Sequence, residues 1–264
     1  MSAIPAPLSR FGRRLGGPFE NVYDQFAFYG VALRGMPRAF KYGGVILTLI
    51  PDVAIGAGAL VLGGGMFFVI GALAFFTGTA VGLEGYVALD QIGAEAYVGL
   101  VASFANTREI TPLIAGVALA AQIGAGFTAE IGAMRISEEI DALEVMSVPS
   151  LIYLVSTRIW AALILAIPLY LLALFMSYSA SELIVTQYYT VSSGAYEQYF
   201  DLFLPTIDVL YSLTKAVVFT IFVVLVHCYY GYNASGGPAG VGIAVGNAIR
   251  VSLVGVVLLN LLLS

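Results

Sequence analysis

Three charged side chains stand in strongly apolar parts of the sequence, where they could do polar chemistry. Arg108 and Glu109 are neighbours at the start of a long uncharged stretch, and Lys215 lies inside another. A charge in apolar surroundings is costly, so such groups usually pair with each other or face a water-filled space. Two interpretations remain open: these residues line a substrate cavity, or they form salt bridges that only fix helix ends.

His227 and Cys228 are neighbours, and they are the single histidine and the single cysteine of the chain. A Cys–His pair can supply a thiolate nucleophile. Neighbours in a helix point about 100° apart, however, and no carboxylate stands nearby in sequence to orient the imidazole. The sequence therefore favours packing roles for both and predicts no catalytic residue, and one histidine excludes a multi-histidine metal site within one chain.

Residues 134–147, reading MRISEEIDALEVMS, are the least apolar stretch beyond the N-terminal region. Ile136, Ile140 and Leu143 recur at helical spacing, which predicts a short amphipathic helix that Pro149 ends. Two interpretations compete: a solvated loop helix, or a helix that docks into a groove of a partner and transmits its movement. The acids of the polar face are Glu138, Glu139, Asp141 and Glu144.

The composition decides which elements can position these residues. The chain has 264 residues, of which 60% are hydrophobic and 10% charged, and its mean hydropathy is +0.95. Soluble domains carry about 25% charged residues, so the sequence predicts an integral membrane protein. Continuous apolar stretches with 30 glycines and 10 prolines favour an all-α fold over an alternating barrel. The net charge of −5 argues against nucleic-acid binding.

Five apolar stretches are long enough to cross a bilayer, which takes about 20 residues. A broken approach over residues 43–65 precedes them, because Pro51-Asp52 and the glycines at 63–65 interrupt the pattern. The predicted spans are residues 66–83, 110–129, 159–181, 209–230 and 241–263.

Residues 1–42 form a separate N-terminal segment, followed by a membrane domain over residues 43–264. Apolar residues recur at helical spacing between Phe19 and Leu33, which predicts an amphipathic helix in the cytoplasmic interface. The alternative is a disordered tail. The bases of this segment are Arg10, Arg13, Arg14, Arg34, Arg38 and Lys41.

The distribution of basic residues predicts the orientation in the membrane. Residues 42–107 and 159–214 contain no lysine or arginine, whereas Arg135 and Arg158 flank the connection between the second and third spans. Because basic loops stay in the cytoplasm, we expect a multi-pass protein of the inner (plasma) membrane with a cytoplasmic N-terminus and an external C-terminus.

A stripe of small residues runs through the second predicted span at strict four-residue spacing. It consists of Gly116, Ala120, Gly124, Thr128 and Gly132. Small side chains let helix backbones approach closely in lipid, so we expect this face to pack against another helix of the chain or of a partner.

Residues 107–149, reading TREITPLIAGVALAAQIGAGFTAEIGAMRISEEIDALEVMSVP, resemble the signature of the MlaE/YrbE permease family. These are membrane subunits of ABC transporters that work with MCE-domain proteins in lipid transport. The segments FFTGTAVGLEGY (75–86), YLVSTR (153–158) and HCYYGYNASGGPAGVG (227–242) are also similar to family segments. The sequence of these segments is most similar to the actinobacterial YrbE type, particularly the B member of a paired A/B permease. Where the family commonly reads RELGP, this chain reads REITP from Arg108.

The resemblance implies a lipid-transporting permease that works with several partners. The partners would be a second YrbE permease of the A type, a cytoplasmic ABC ATPase dimer and extracytoplasmic MCE proteins. Tyr86, Arg108 and Glu109 would lie at the lipid cavity, to which we add Lys215. Residues 135–147 would be the coupling helix on the ATPase, contacting it through Arg135, Ile136, Glu138, Glu139, Ile140, Asp141, Leu143 and Glu144.

The chain has no GxxxxGK[ST] motif, so ATP and Mg²⁺ are expected in the ATPase and no cofactor or catalysis in this chain. The alternative function is a stand-alone secondary transporter or channel that uses the intramembrane Arg, Glu and Lys as an ion relay. The absence of an inverted repeat weighs against it.

Overall fold

The computed structural model describes residues 18–55 and 65–264, which are almost entirely helical and contain no strand. This confirms the all-α prediction for the described part of the chain. The predicted roles of Arg10, Arg13, Arg14 and the glycines at 63–64 lie outside the described residues.

Five of the described helices are long and apolar enough to cross a membrane, as the sequence predicted. Each extends beyond its predicted span; the second begins at Glu95 instead of residue 110 because the helix continues through polar residues. The five are α3 (Gly65–Asp90), α4 (Glu95–Ile136), α6 (Ile152–Tyr188), α8 (Thr206–Tyr232) and α9 (Gly237–Leu263).

Two helices precede these spans, α1 (Pro18–Ala39) and α2 (Gly43–Ile55). The prediction that Pro51-Asp52 interrupts the chain is wrong, because α2 continues through Pro51 to Ile55. Ile46 and Leu49 anchor α2 by packing against Ala161 of α6.

Helix α1 is docked rather than disordered over its described length. The Ser156 hydroxyl donates a hydrogen bond to the Ala32 carbonyl at 2.8 Å, and the Trp160 indole donates one to the Met36 carbonyl at 3.0 Å. Phe28 is buried, whereas Phe26 and Leu33 are exposed. One apolar face of α1 therefore packs on the protein, and another is left for an apolar environment such as lipid.

The described residues divide into two compact units. The first contains residues 18–50, 120–162 and 221–252, and the second contains residues 51–55, 65–119, 163–220 and 253–264. Two shorter helices complete the fold, α5 (Glu139–Val145) in the first unit and α7 (Ser193–Leu202) in the second.

The stripe of small residues on α4 lies against other helices of this chain. A Cβ added at Gly124 would lie 2.5 Å from the His227 ring of α8, and one added at Gly116 would lie 2.8 Å from Val256 of α9. At Gly132 the nearest atom belongs to Val241 at 3.0 Å. Ala120 and Thr128 are fully buried. The small side chains thus allow α4 to approach α8 and α9 closely.

Candidate functional site

The second unit contains a polar cavity of about 360 Å³. Arg108 and Glu109 reach it from α4, and Asp208 and Lys215 reach it from α8. Its remaining lining residues are Tyr211, Ser212, Thr214, Val218, Leu263 and Ser264.

Arg108 forms a two-point ion pair with Asp208. Its Nε and Nη2 atoms donate to Asp208 Oδ2 at 2.9 Å and Oδ1 at 2.8 Å, a paired geometry that strengthens the bond. The Arg108 side chain stays 46% exposed, whereas that of Asp208 is 7% exposed. The guanidinium can therefore contact a ligand in the cavity while its ion pair with Asp208 fixes its position.

Lys215 and Glu109 form the second pair. Lys215 Nζ donates to the Arg108 carbonyl at 2.8 Å and lies 3.3 Å from Glu109 Oε1. The Lys215 side chain is 8% exposed. The Asn260 amide donates to Glu109 Oε2 at 2.8 Å, and the Ser264 hydroxyl also donates to this carboxylate. Glu109 thus joins α4, α8 and the end of α9.

An irregular turn of α4 presents Arg108 and Glu109. Residues Asn106–Ile110 form a single π-helical turn, a feature frequent at functional sites. The buried Asn106 donates to Ser181 Oγ at 2.9 Å, and the Thr107 hydroxyl bonds the Tyr178 hydroxyl at 2.5 Å. These contacts fix the turn to α6.

Sequence reasoning missed two residues of this cluster, Asp208 and Asn260. The predicted cavity residues did not include Asp208. Its position seven residues before Lys215, about two helical turns, was the available signal that both face one side of α8. Asn260 carried no comparable signal, because an asparagine in a last apolar helix has no distinguishing pattern.

Tyr86 is not among the described residues that line the polar cavity. Its ring stacks on Tyr189 with centroids 3.8 Å apart, and it packs against the cluster of Val98, Ala102 and Val185. The structure therefore does not bring Tyr86 together with Arg108, Glu109 and Lys215.

The predicted helix over residues 134–147 is divided in two. Helix α4 ends at Ile136, and Glu138 has φ 62°, a left-handed conformation that interrupts the helix before α5 begins at Glu139. The prediction of one continuous apolar stripe is consequently wrong: Ile136 belongs to α4, and Ile140 is 0% exposed. We refer to residues 135–147 as the coupling segment.

The coupling segment exposes Ile136 to 36% at its start, but its most exposed apolar side chains lie at its end. Val145 is 85% exposed and Met146 is 65% exposed. Leu143 is half-buried, and the buried Ile140 anchors α5 to the rest of the first unit. Val145 and Met146 are therefore the apolar side chains of the segment that are most available to a partner.

Three of the segment's acids have partners within the first unit. Arg135 Nη1 lies 2.7 Å from Asp141 Oδ1. Glu144 Oε1 accepts hydrogen bonds from Ser150 Oγ at 2.9 Å and Tyr232 OH at 3.2 Å. Glu138 and Glu139 are exposed, and Glu139 accepts a hydrogen bond from Ser137 at 2.9 Å.

His227 lies buried in a hydrogen-bonded array that supports its packing role. Its Nδ1 is 2.8 Å from Thr128 Oγ1, and its Nε2 is 3.1 Å from Ser252 Oγ, which in turn bonds the Ile249 carbonyl. Cys228 is also fully buried. No group of three or more potential metal ligands occurs in the part of the chain that the structure describes.

An ion pair between a buried arginine and an exposed glutamate of the first unit was not predicted. Arg158 is almost completely buried, and its Nη2 lies 2.7 Å from Glu130 Oε1. The guanidinium also lies 5.5 Å from the centroid of the Phe127 ring. Both contacts join α6 to α4, so this pair contributes to packing between spans.

Comparison with known proteins gives consistent matches. The model of the family "Permease MlaE" matches residues 55–264. A probable ABC transporter permease protein of Rickettsia bellii is 32% identical over 196 residues, covering 74% of this chain and 76% of the relative. The intermembrane phospholipid transport system permease protein MlaE of Haemophilus influenzae is 29% identical over 237 residues, covering 89% and 86%. The chloroplastic protein TRIGALACTOSYLDIACYLGLYCEROL 1 of Arabidopsis thaliana is 29% identical over 190 residues, covering 72% and 54%.

Proposed function

Because this chain belongs to the Permease MlaE family, a family of membrane transporter subunits, we propose that it moves a phospholipid or another hydrophobic molecule across the cell envelope. In this proposal it hydrolyses no ATP itself, and a separate ATPase drives it. We further propose that it lies in the inner membrane, forms a heterodimer with a second permease and works with extracytoplasmic MCE partners. Membership of the YrbE B type stays a prediction.

The observation that carries the proposal is the coupling segment. Val145 and Met146 are exposed at the end of α5, and the acids Glu138 and Glu139 are exposed at its start, outside the spans. A short element that exposes both apolar residues and unpaired acids is typical of a surface that a partner covers. The partner surface that fits is an apolar groove bordered by arginine or lysine, and the ATPase subunit is the partner that an ABC permease requires.

The orientation follows from the same segment. If the coupling segment contacts a cytoplasmic ATPase, five spans place the N-terminus in the cytoplasm and the C-terminus outside. The bases Arg34, Arg38 and Lys41 near α1 support this arrangement, because basic residues concentrate on the cytoplasmic side.

The polar cavity is the proposed site for the polar end of the cargo. Its volume of about 360 Å³ suits a headgroup, with the acyl chains left in apolar surroundings. Arg108 supplies a half-exposed cation, and the pair of Glu109 and Lys215 supplies a second polar contact.

The test is purification of this chain alone and together with its candidate ATPase. Alone, the chain should show no ATP hydrolysis. The assembled complex should hydrolyse ATP and retain a lipid that mass spectrometry detects. Vigorous hydrolysis by the single chain, or ion flux through it without an ATPase, would contradict the proposal and favour the stand-alone transporter.

A further inference from the structure

The coupling segment is attached to the end of α8 by a chain of hydroxyl groups. Tyr232, the last residue of α8, lies 2.8 Å from Ser150 Oγ, which donates to Glu144 at 2.9 Å. Tyr232 also reaches Glu144 directly at 3.2 Å. Tyr232 and Ser150 are buried, whereas Glu144, at the other end of this series of hydrogen bonds, is exposed.

The ring of Tyr232 is held independently of its hydroxyl group. It packs edge-on against Phe28 with centroids 5.7 Å apart, and the Arg135 guanidinium lies 6.0 Å from its centroid. Removing only the hydroxyl therefore breaks the link to Glu144 and leaves the packing of the ring in place.

Helix α8 also carries two of the charges of the polar cavity. Asp208 and Lys215 stand in its first turns, where they pair with Arg108 and Glu109. The helix has 27 residues in one uninterrupted α-helical run, about 40 Å at 1.5 Å per residue. Displacing one end of such a helix along its axis displaces the other end as well.

Helix α4 offers a less direct connection, although it too joins the cavity to the coupling segment. Between Glu109 and Arg135 it contains a second π-helical turn, Ala120–Gly124. A π-helical turn is a local irregularity in the hydrogen-bond ladder, which can absorb a displacement. The regular helix α8 has no such turn.

From these contacts we infer that Tyr232 is a positioning residue: its hydroxyl transfers movement of the coupling segment to α8, and α8 carries it to Asp208 and Lys215 in the polar cavity. This inference rests on the proposed function, because an ATPase must move the coupling segment. It gives Glu144 an internal role as acceptor in place of the predicted contact with the ATPase.

The test measures movement at the cavity directly. Tyr211 lines the cavity and is exposed, so Tyr211→Cys can report accessibility through its rate of maleimide labelling. Background labelling is low because Cys228, the single native cysteine, is buried. The assembled complex is labelled with and without ATP plus vanadate, in the Tyr211→Cys background and with Tyr232→Phe added.

The nucleotide should change the labelling rate in the background chain, and Tyr232→Phe should reduce this change about fivefold, the order expected for one hydrogen bond. Glu144→Ala should have the same effect, and Glu144→Gln, which keeps an acceptor oxygen, should retain most of the change. The control Tyr230→Phe removes a hydroxyl from the same turn of α8 and should behave as the background chain.

Capture of the ATPase by each variant distinguishes failure of the Tyr232 inference from failure of the proposed function. Full capture with an undiminished nucleotide effect in Tyr232→Phe would overturn the inference and leave the proposed function standing. If the background chain captures the ATPase but nucleotide does not change its labelling rate, the inference is also overturned. Failure of the unsubstituted chain to bind any ATPase would overturn the proposed function and the inference together.

Discussion

The polar cavity and the coupling segment both concentrate charge, but only the cavity neutralises its own. In the cavity two bases face two acids, and each base lies within 3.3 Å of a carboxylate oxygen. The coupling segment holds four acids and one base, Arg135, which pairs with Asp141; Glu138 and Glu139 are exposed and form no ion pair among the described residues. The cavity is electrostatically complete without a partner, whereas the coupling segment is not. Substitutions should therefore affect stability in the first region and association in the second.

The largest loss of stability is expected from Glu109→Ala. The substitution leaves Lys215, which is nearly buried, without a carboxylate. Removing one partner of a fully buried pair costs about 3–5 kcal/mol, and water that reaches the cavity should reduce this to about 2–3 kcal/mol. Thermal unfolding of the purified chain in detergent measures the loss. Glu109→Gln, which keeps an acceptor for Asn260, should lose less, and equal stability of Glu109→Ala and the unsubstituted chain would contradict the described pairing.

A smaller loss is expected from Asp208→Ala, although it also removes a carboxylate from the cavity. The Arg108 guanidinium is half-exposed and can be solvated when its partner is absent, so the cost should be about 1 kcal/mol. The same unfolding assay applies. A loss greater than that of Glu109→Ala would show that Asp208, and not Glu109, is the principal counter-charge of the cavity.

In the coupling segment, Glu138→Lys with Glu139→Lys should change stability by less than about 0.5 kcal/mol, because both side chains are exposed. Association with the ATPase should weaken at least about tenfold at low salt, since a favourable charge contact becomes a repulsive one. The ratio of the affinity of the unsubstituted chain to that of the double variant should fall as salt is added, because salt screens the charges. Affinities that are equal at every salt concentration would exclude a basic partner surface.

The smallest effect is expected from Asp141→Asn. It removes the ion pair with Arg135, but the Asp141 side chain is largely exposed, and such surface pairs contribute about 0–1 kcal/mol. Unfolding at low and high salt should therefore nearly coincide with that of the unsubstituted chain. A loss as large as that of Glu109→Ala would remove the distinction between the two regions.

The sequence predicted the spans because each needs about 20 apolar residues, which composition alone reveals. It did not predict where the helices end, since polar residues continue a helix without interrupting it, as at Glu95. The continuation of α2 through Pro51 was equally hidden, because prolines are tolerated in membrane helices when neighbouring groups satisfy the backbone.

The site was predictable only in part, for physical reasons. Arg108, Glu109 and Lys215 were found because charge in apolar sequence is rare. The partnership of Arg108 with Asp208 depends on packing between residues far apart in the chain. The break between α4 and α5 was missed because it depends on the left-handed conformation of Glu138, and a glutamate gives no signal for that conformation.

The central claim, that the coupling segment binds an ATPase, is tested most directly by capture of that ATPase with Val145→Ser/Met146→Ser. The matched control is Leu202→Ser/Phe203→Ser, which removes an exposed apolar pair beside α7. We predict that the control captures as much ATPase as the unsubstituted chain and that Val145→Ser/Met146→Ser captures at least about tenfold less, since burial of each side chain contributes about 1.5–3 kcal/mol. Full capture by Val145→Ser/Met146→Ser, or equal loss in both variants, would contradict the claim.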